Sequence, residues 1–258
     1  MRRIISIFLL VSAFALSVLA VFPLPFSQSR IGAGCPPDSI GGLKLWLKAN
    51  SLALNDGDPV STWTDYSGTS NSATSGANQP VFHTSIINGL AAVLFNGSTN
   101  GMTFPNDPSV PTSTFVVAQT NIAASSATAY AALIVDSAAS GFRICHRLTG
   151  TNWGTYVNAD LSSGEDLVSG VPNILELTTQ TGGASNATVI YRNGVSKANS
   201  TVVSSGGAPA NHLGYEANNR YYSGYIAEII VYNSVLSTAN RQCIEDNLGA
   251  KYNIVVSH

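Results

Sequence analysis

From Gly42 to Tyr232 the sequence keeps one rhythm: a short run of β-branched, aliphatic and aromatic residues, then a cluster of Gly, Asn, Asp, Ser or Pro. Short runs of this kind fit pleated strands, and the residues between them are those that turn a chain sharply. Interruption this frequent leaves no room for a long helix, so the rhythm predicts an all-β domain. Strands are expected at Leu43–Ala49, Val60–Trp63, Gln79–Thr84, Ala91–Asn96, Met102–Phe104, Ser113–Gln119 and Ala129–Asp136. They continue at Phe142–Leu148, Trp153–Asn158, Ile174–Gln180, Thr188–Arg192, Val195–Ala198, His212–Tyr215 and Tyr222–Tyr232. Arg192-Asn193-Gly194-Val195 is the sharpest local signal, because Asn-Gly tolerates positive φ at both positions of a two-residue hairpin turn. One helix is expected, opened by Ser237 as N-cap and marked by Ala239, Cys243, Ile244 and Leu248 at helical spacing.

The length of 258 residues suits one large sandwich. An apolar fraction of 45% supplies a core and argues against disorder. A net charge of −2 with no basic cluster removes the electrostatic footprint of a nucleic-acid binder. Met1-Arg2-Arg3 and the apolar run to Phe22 read as a signal peptide of residues 1–20, cleaved after Ala20, with Ala13-Phe14-Ala15 as a second site. An uncleaved anchor is the competing reading, and it is the only route by which a membrane enters. Either way the domain leaves the cytosol. Residues 21–41 read as a linker, 42–254 as the domain and 255–258 as a tail. Gly32-Ala33-Gly34-Cys35 carries a weak echo of a lipoprotein processing site. Of Cys35, Cys145 and Cys243, the last two are candidates to pair, against buried thiols as the alternative; spacing does not decide.

The two ends of the domain carry a resemblance. Leu45-Trp46-Leu47-Lys48-Ala49, Gly57-Asp58-Pro59-Val60, Trp63-Thr64-Asp65-Tyr66-Ser67-Gly68 and Ala92-Val93-Leu94-Phe95-Asn96-Gly97 stand at the front. Tyr222-Ser223-Gly224-Tyr225-Ile226-Ala227-Glu228-Ile229-Ile230-Val231-Tyr232-Asn233, Leu236-Ser237, Arg241-Gln242 and Lys251-Tyr252-Asn253-Ile254 stand at the back. Together they resemble the opening and closing strands of concanavalin A-like lectin/glucanase domains of the laminin-G-like type. The resemblance implies a jelly-roll sandwich of two antiparallel sheets with one short C-terminal helix and neighbouring ends. It places Trp46 and Trp63 in the core and gives Ser237 and Arg241 structural roles. Asn240 departs from the pattern, which often has a Glu there completing a capping box. The fold hosts lectins, adhesion modules and glycosidases alike, so it does not fix a function.

Glycosidases need two carboxylates at a set separation. No Glu-x-Asp-x-Glu spacing occurs; Glu176 and Glu228 are isolated acids in their strands. Glu228 is expected to form a buried ion pair, with Arg241 or Lys44 as partner. Asp56, Asp58 and Asp65 supply oxygens suited to calcium, although their spacing is not that of an EF-hand, and acids in turns more often bond their own backbone. No zinc motif, nucleophile elbow or phosphate loop is present. Exposed aromatic faces bind sugars by stacking on their C–H faces, and the candidates are Trp153, Tyr215 and Tyr221. Asn218, Asn219 and Arg220 are their hydrogen-bonding neighbours, in a loop over Glu216–Arg220. Tyr156 and Tyr222 are further candidates, with core packing as the alternative. The expected function is an extracytoplasmic glycan-binding or adhesion module whose partner is a carbohydrate or surface glycoconjugate. The alternatives are a display or decoration domain of a cell surface or virion and, behind it, a glycoside hydrolase or polysaccharide lyase.

Overall fold

The computed structural model describes residues 34–105, 112–121, 131–136, 143–145, 152–156, 159–180, 187–201, 210–216 and 219–258. The expected signal segment and most of the expected linker lie outside them. No helix among the described residues is long and apolar enough to cross a membrane. The strands are β1 (Leu43–Lys48), β2 (Thr62–Trp63), β3 (Ala73–Ser75), β4 (Val81–Ile87), β5 (Leu90–Asn96), β6 (Met102–Thr103) and β7 (Thr112–Thr120). Next come β8 (Ala132–Asp136), β9 (Arg143–Cys145), β10 (Gly154–Tyr156), β11 (Asp160–Ser162), β12 (Pro172–Thr179), β13 (Thr188–Arg192) and β14 (Val195–Ser200). The last are β15 (Ala210–Leu213), β16 (Tyr215–Glu216), β17 (Arg220–Tyr221) and β18 (Ser223–Tyr232), before helix α1 (Thr238–Tyr252).

These strands form two sheets. The first runs β14-β13-β12-β7-β18-β5-β4, with β1 also on β18. The second runs β11-β10-β9-β8-β15-β6-β3-β2, and the small β16–β17 pair joins it at Tyr221 and Ala132. The two ends of the domain do meet: β1 pairs antiparallel with β18, Leu45 opposite Val231 and Trp46 opposite Ile230. The Asn-Gly hairpin also forms as expected. Asn193 and Gly194 have φ of 51° and 84°, and Arg192 faces Val195. A side chain at Gly194 would collide with the chain end, since a Cβ there would lie 2.3 Å from the Ser257 carbonyl oxygen. The residues expected as a tail are therefore docked, with the Ser257 N–H donating to the Asn193 carbonyl.

The first sheet is apolar on both faces because it is covered on both. Its inner face meets the second sheet through Leu45, Leu47, Val93, Val116, Leu175, Ile229 and Val231, together with Trp63, Met102 and Leu213 from the other layer. Its outer face carries Phe115, Val117, Ile174, Ile230 and Tyr232 against Ile244, Leu248 and Tyr252 of α1. Each such aliphatic or aromatic side chain contributes about 1.5–3 kcal/mol when withdrawn from water. Ser237 caps the helix by accepting from the Asn240 N–H, and Asn253 ends it at a left-handed φ of 52°. The buried stripe differs from the expected one: Ala239 is exposed, and Arg241 and Glu245 are buried beside Ile244 and Leu248. A hydrophobic pattern cannot assign two charged residues to a buried face, and that is the reason for the difference.

Three further expectations are corrected. Trp46 is half-buried on the helix side of β1, while its neighbours Leu45 and Leu47 point into the sandwich. The strand's two-residue period puts it there. Glu228 pairs with neither Arg241 nor Lys44. Its carboxylate accepts from Lys251 Nζ at 2.6 Å, the Tyr252 hydroxyl at 2.9 Å and the Trp46 indole N–H at 2.6 Å. The disulfide joins Cys35 to Cys243, Cα atoms 5.8 Å apart, and Cys145 is a buried thiol in β9. Cys35 thus ties the segment before β1 to α1.

Candidate functional site

Helix α1 covers the outer face of the first sheet, whereas among the described residues no helix covers the outer face of the second, which makes that face a candidate surface for a ligand. Strand period decides what stands on it. Met102 and Leu213 are opposite one another and face the core; their neighbours Thr103 and His212, also opposite, face outward. Thr74 lies opposite Thr103 and continues this outer row.

A groove of about 270 Å³ opens here, lined by Thr74, Gly76, Ala77, Asn78, Thr99, Gly101, Met102, Thr103, Tyr215 and Tyr221. Its walls are held by local hydrogen bonds. The Asn96 side-chain oxygen accepts from the N–H groups of Ser98, Thr99 and Asn100, and its Nδ2 donates to Thr99 Oγ1. Asn100 Nδ2 donates to the Gln79 carbonyl at 2.9 Å, joining the loop before β6 to the one before β4.

Three rings form a ladder at the groove's edge. The Tyr215 centroid lies 4.5 Å from the His212 ring and 6.1 Å from Tyr221, and the two tyrosine planes are 19° from parallel. Residues 212 and 215 would point to opposite faces of one unbroken strand, which is how His212–Tyr215 was expected to run. Gly214 breaks that strand at φ 74°, where a Cβ would lie 2.0 Å from the Phe95 ring. The kink brings Tyr215 round to the His212 side. Gly101 completes the arrangement: a Cβ there would lie 2.0 Å from Tyr215 Cδ1, so only glycine lets the ring rest on this backbone.

Electrostatically the groove is quiet. Burial, then the neighbouring Tyr221, pushes the Tyr215 phenol above its ordinary value, so it stays protonated. Burial pulls His212 below its ordinary value against a small opposing pull from Glu216. Glu216 is buried, and the Arg220 guanidinium lies 3.5 Å from its carboxylate.

Of the residues anticipated for ligand contact, the structure brings Tyr215 and Tyr221 together at the groove and sets Arg220 beside them. Asn219 is exposed in the turn of this hairpin, at φ 60°, and Asn218 lies outside the described residues. Trp153 is corrected: its side chain is fully buried between the sheets and offers no face to a ligand. Tyr222 is likewise fully buried and Tyr156 half-buried. Thr74, Thr99, Gly101, Thr103 and His212 were not anticipated, and only Gly101, a glycine directly before a strand, carried any signal of close approach.

The acidic candidates have other partners. Asp65 accepts from the N–H groups of Trp46, Ser67 and Asn71 and from the Ser67 hydroxyl, fastening the loop after β2 to β1. Asp56 accepts from the Thr84 N–H, which holds its carboxyl below the ordinary value, and lies 3.2 Å from His83. Asp58 accepts from the Asn55 N–H. Among the described residues no three or more His, Cys, Asp or Glu side chains gather as metal ligands would. Glu176 and Glu228 are both buried on the helix side of the first sheet, away from the groove.

No protein-family model matches the sequence, and no curated relative matches it by sequence. Solved structures do. Domain 4 of AbnA, a GH43 extracellular arabinanase from Geobacillus stearothermophilus solved in complex with arabinotriose, aligns at a TM-score of 0.57 and 17% identity. That alignment covers 77% of this chain and 95% of the other. The sialidase of Trypanosoma rangeli in complex with sialic acid aligns at 0.57 and 14% identity over 84% of this chain. The chain spans about a third (34%) of that sialidase. At such identities the likeness shows the fold: a two-sheet β-sandwich of a kind found in proteins solved with carbohydrate.

Proposed function

We propose that this chain is an extracytoplasmic glycan-binding module of the concanavalin A-like type, and that the groove on the open sheet is its binding site. The observation that carries the reading is the stacked Tyr215–Tyr221 pair beside a groove of hydroxyl, amide and glycine groups. A sugar ring has apolar C–H faces and a rim of hydroxyls. Aromatic rings bind the first, and Thr74, Asn78, Thr99 and Thr103 offer donors and acceptors to the second. The likeness to an arabinanase domain solved in complex with arabinotriose favours the same reading.

Among the described residues no carboxylate lines the groove, which favours binding over hydrolysis there. A shallow groove of this kind gives weak affinity per site, with strength from several copies acting together. The test compares the chain with Tyr221→Ala on a printed array of oligosaccharides. Truncating an aromatic anchor costs more than about 1 kcal/mol, so binding falls by about tenfold (about 1.4 kcal/mol), with the melting temperature unchanged. An array without hits refutes the reading and favours a display domain.

A further inference from the structure

We propose that the groove selects uncharged glycans and discriminates against sialic acids and uronates. This rests on the binding reading above and narrows its ligand class. Among the described residues the lining contains no Lys, Arg, Asp or Glu. Carboxylate ligands are recognised by Arg or Lys, usually through paired hydrogen bonds to both oxygens. The guanidinium nearest in sequence, Arg220, lies 3.5 Å from the buried Glu216 carboxylate, so its charge is already opposed by an internal anion. An incoming carboxylate would lose its hydration shell and find no cation in the described lining to replace it.

The third ring of the ladder does not supply the missing cation. His212 is half-buried, and its Nδ1 has no hydrogen-bond partner. Burial favours the neutral imidazole, against an opposing pull from Glu216. What remains is a set of hydroxyls, one amide, exposed backbone at Gly76, and two tyrosine rings. Such groups exchange hydrogen bonds with sugar hydroxyls at little net desolvation cost, which is not true of a carboxylate. Size sharpens the inference. At about 270 Å³ the groove falls just below the roughly 300–1,000 Å³ of pockets for drug-sized ligands. It therefore admits about one or two sugar rings and leaves the rest of a chain in solvent.

The experiment uses an array carrying neutral oligosaccharides beside sialylated and uronate-containing ones on matched backbones. It is run with the native chain, Tyr221→Ala and Thr103→Lys. The native chain should favour neutral probes by at least about tenfold. Its binding should hold constant between about 50 and about 500 mM salt, because no ion pair is there to screen. Thr103→Lys, which puts a cation on the groove floor, should gain acidic probes and lose neutral ones. Preference for acidic probes that disappears in Tyr221→Ala overturns the neutral-ligand inference while leaving the groove as the site. Hits that survive Tyr221→Ala and Thr103→Lys unchanged overturn the groove itself.

Discussion

On the outer face of the first sheet, Glu176, Glu228, Arg241 and Glu245 are buried at or beneath α1. On the outer face of the second, Thr74, Thr103, His212 and Tyr221 stand along a groove with no carboxylate or cation among the described residues of its lining. The contrast lies in where a charge can be afforded. Beneath the helix a charge is withdrawn from water for good, so it persists only where fixed partners compensate it. Glu228, with three donors on its carboxylate, meets that condition and joins Trp46 of β1 to Lys251 and Tyr252 of α1. The groove must be wet when empty and dry when filled. Hydroxyls and phenols make that change at a small cost, whereas an unpartnered charge would not. The face that holds the fold together and the face offered to ligand thus draw on different polar groups for the same physical reason.

If that division is right, variants beneath the helix change stability and leave ligand binding alone. The largest effect is expected from Glu228→Ala, which strands the Lys251 ammonium and two further donors. Removing one partner of a buried pair costs about 3–5 kcal/mol. Chemical denaturation should show a loss of that size, with array binding of the folded fraction unchanged. A loss of binding at unchanged stability would erase the distinction between the faces. The Cys35–Cys243 disulfide comes next. It fastens the helical cover to the segment before β1 across a sequence separation of 208. Disulfides contribute about 2–4 kcal/mol, more for longer loops in the chain-entropy account. Cys243→Ser should lower the unfolding midpoint accordingly and again spare the groove.

The sequence made the closed face legible as architecture but not in detail. The strand rhythm, the Asn193-Gly194 turn and the matching ends of the domain are local signals, and each has its counterpart in the structure. Which side of β1 bears Trp46 was not legible, because both faces of the first sheet are covered and alternation then marks no inside. Nor was the partner of Cys243, since geometry rather than spacing selects a disulfide. For the groove, Tyr215 and Tyr221 could be singled out as aromatics near a turn. Thr74, Thr99 and Thr103 could not: they are ordinary residues for exposed loops and strands, and only the sheet order sets them beside residues more than a hundred positions later. Gly214 hid the arrangement further, because its kink defeats the alternation by which His212 and Tyr215 would be assigned to opposite sides.

Glu176 gives the smallest effect and the sharpest test, because it is the buried charge least well compensated. The Arg241 guanidinium lies 3.7 Å from it, and that same guanidinium bonds Glu245 and lies over the Tyr191 ring. Neither Glu176 oxygen has a hydrogen-bond partner. Burial above all, then Glu245, pushes its carboxyl well above the ordinary 4.5, against the pull of Arg241. The folded chain therefore keeps a proton that the unfolded chain releases. Its contribution to stability is complete below the unfolded value and is lost as pH rises toward the folded one. Glu176→Gln cannot ionise and should be level with the native chain near about pH 4 and more stable near about pH 8. Melting curves across that range give the comparison directly. Parallel pH profiles would mean that Arg241 holds Glu176 ionised, and the covered face would then tolerate a weakly partnered charge after all.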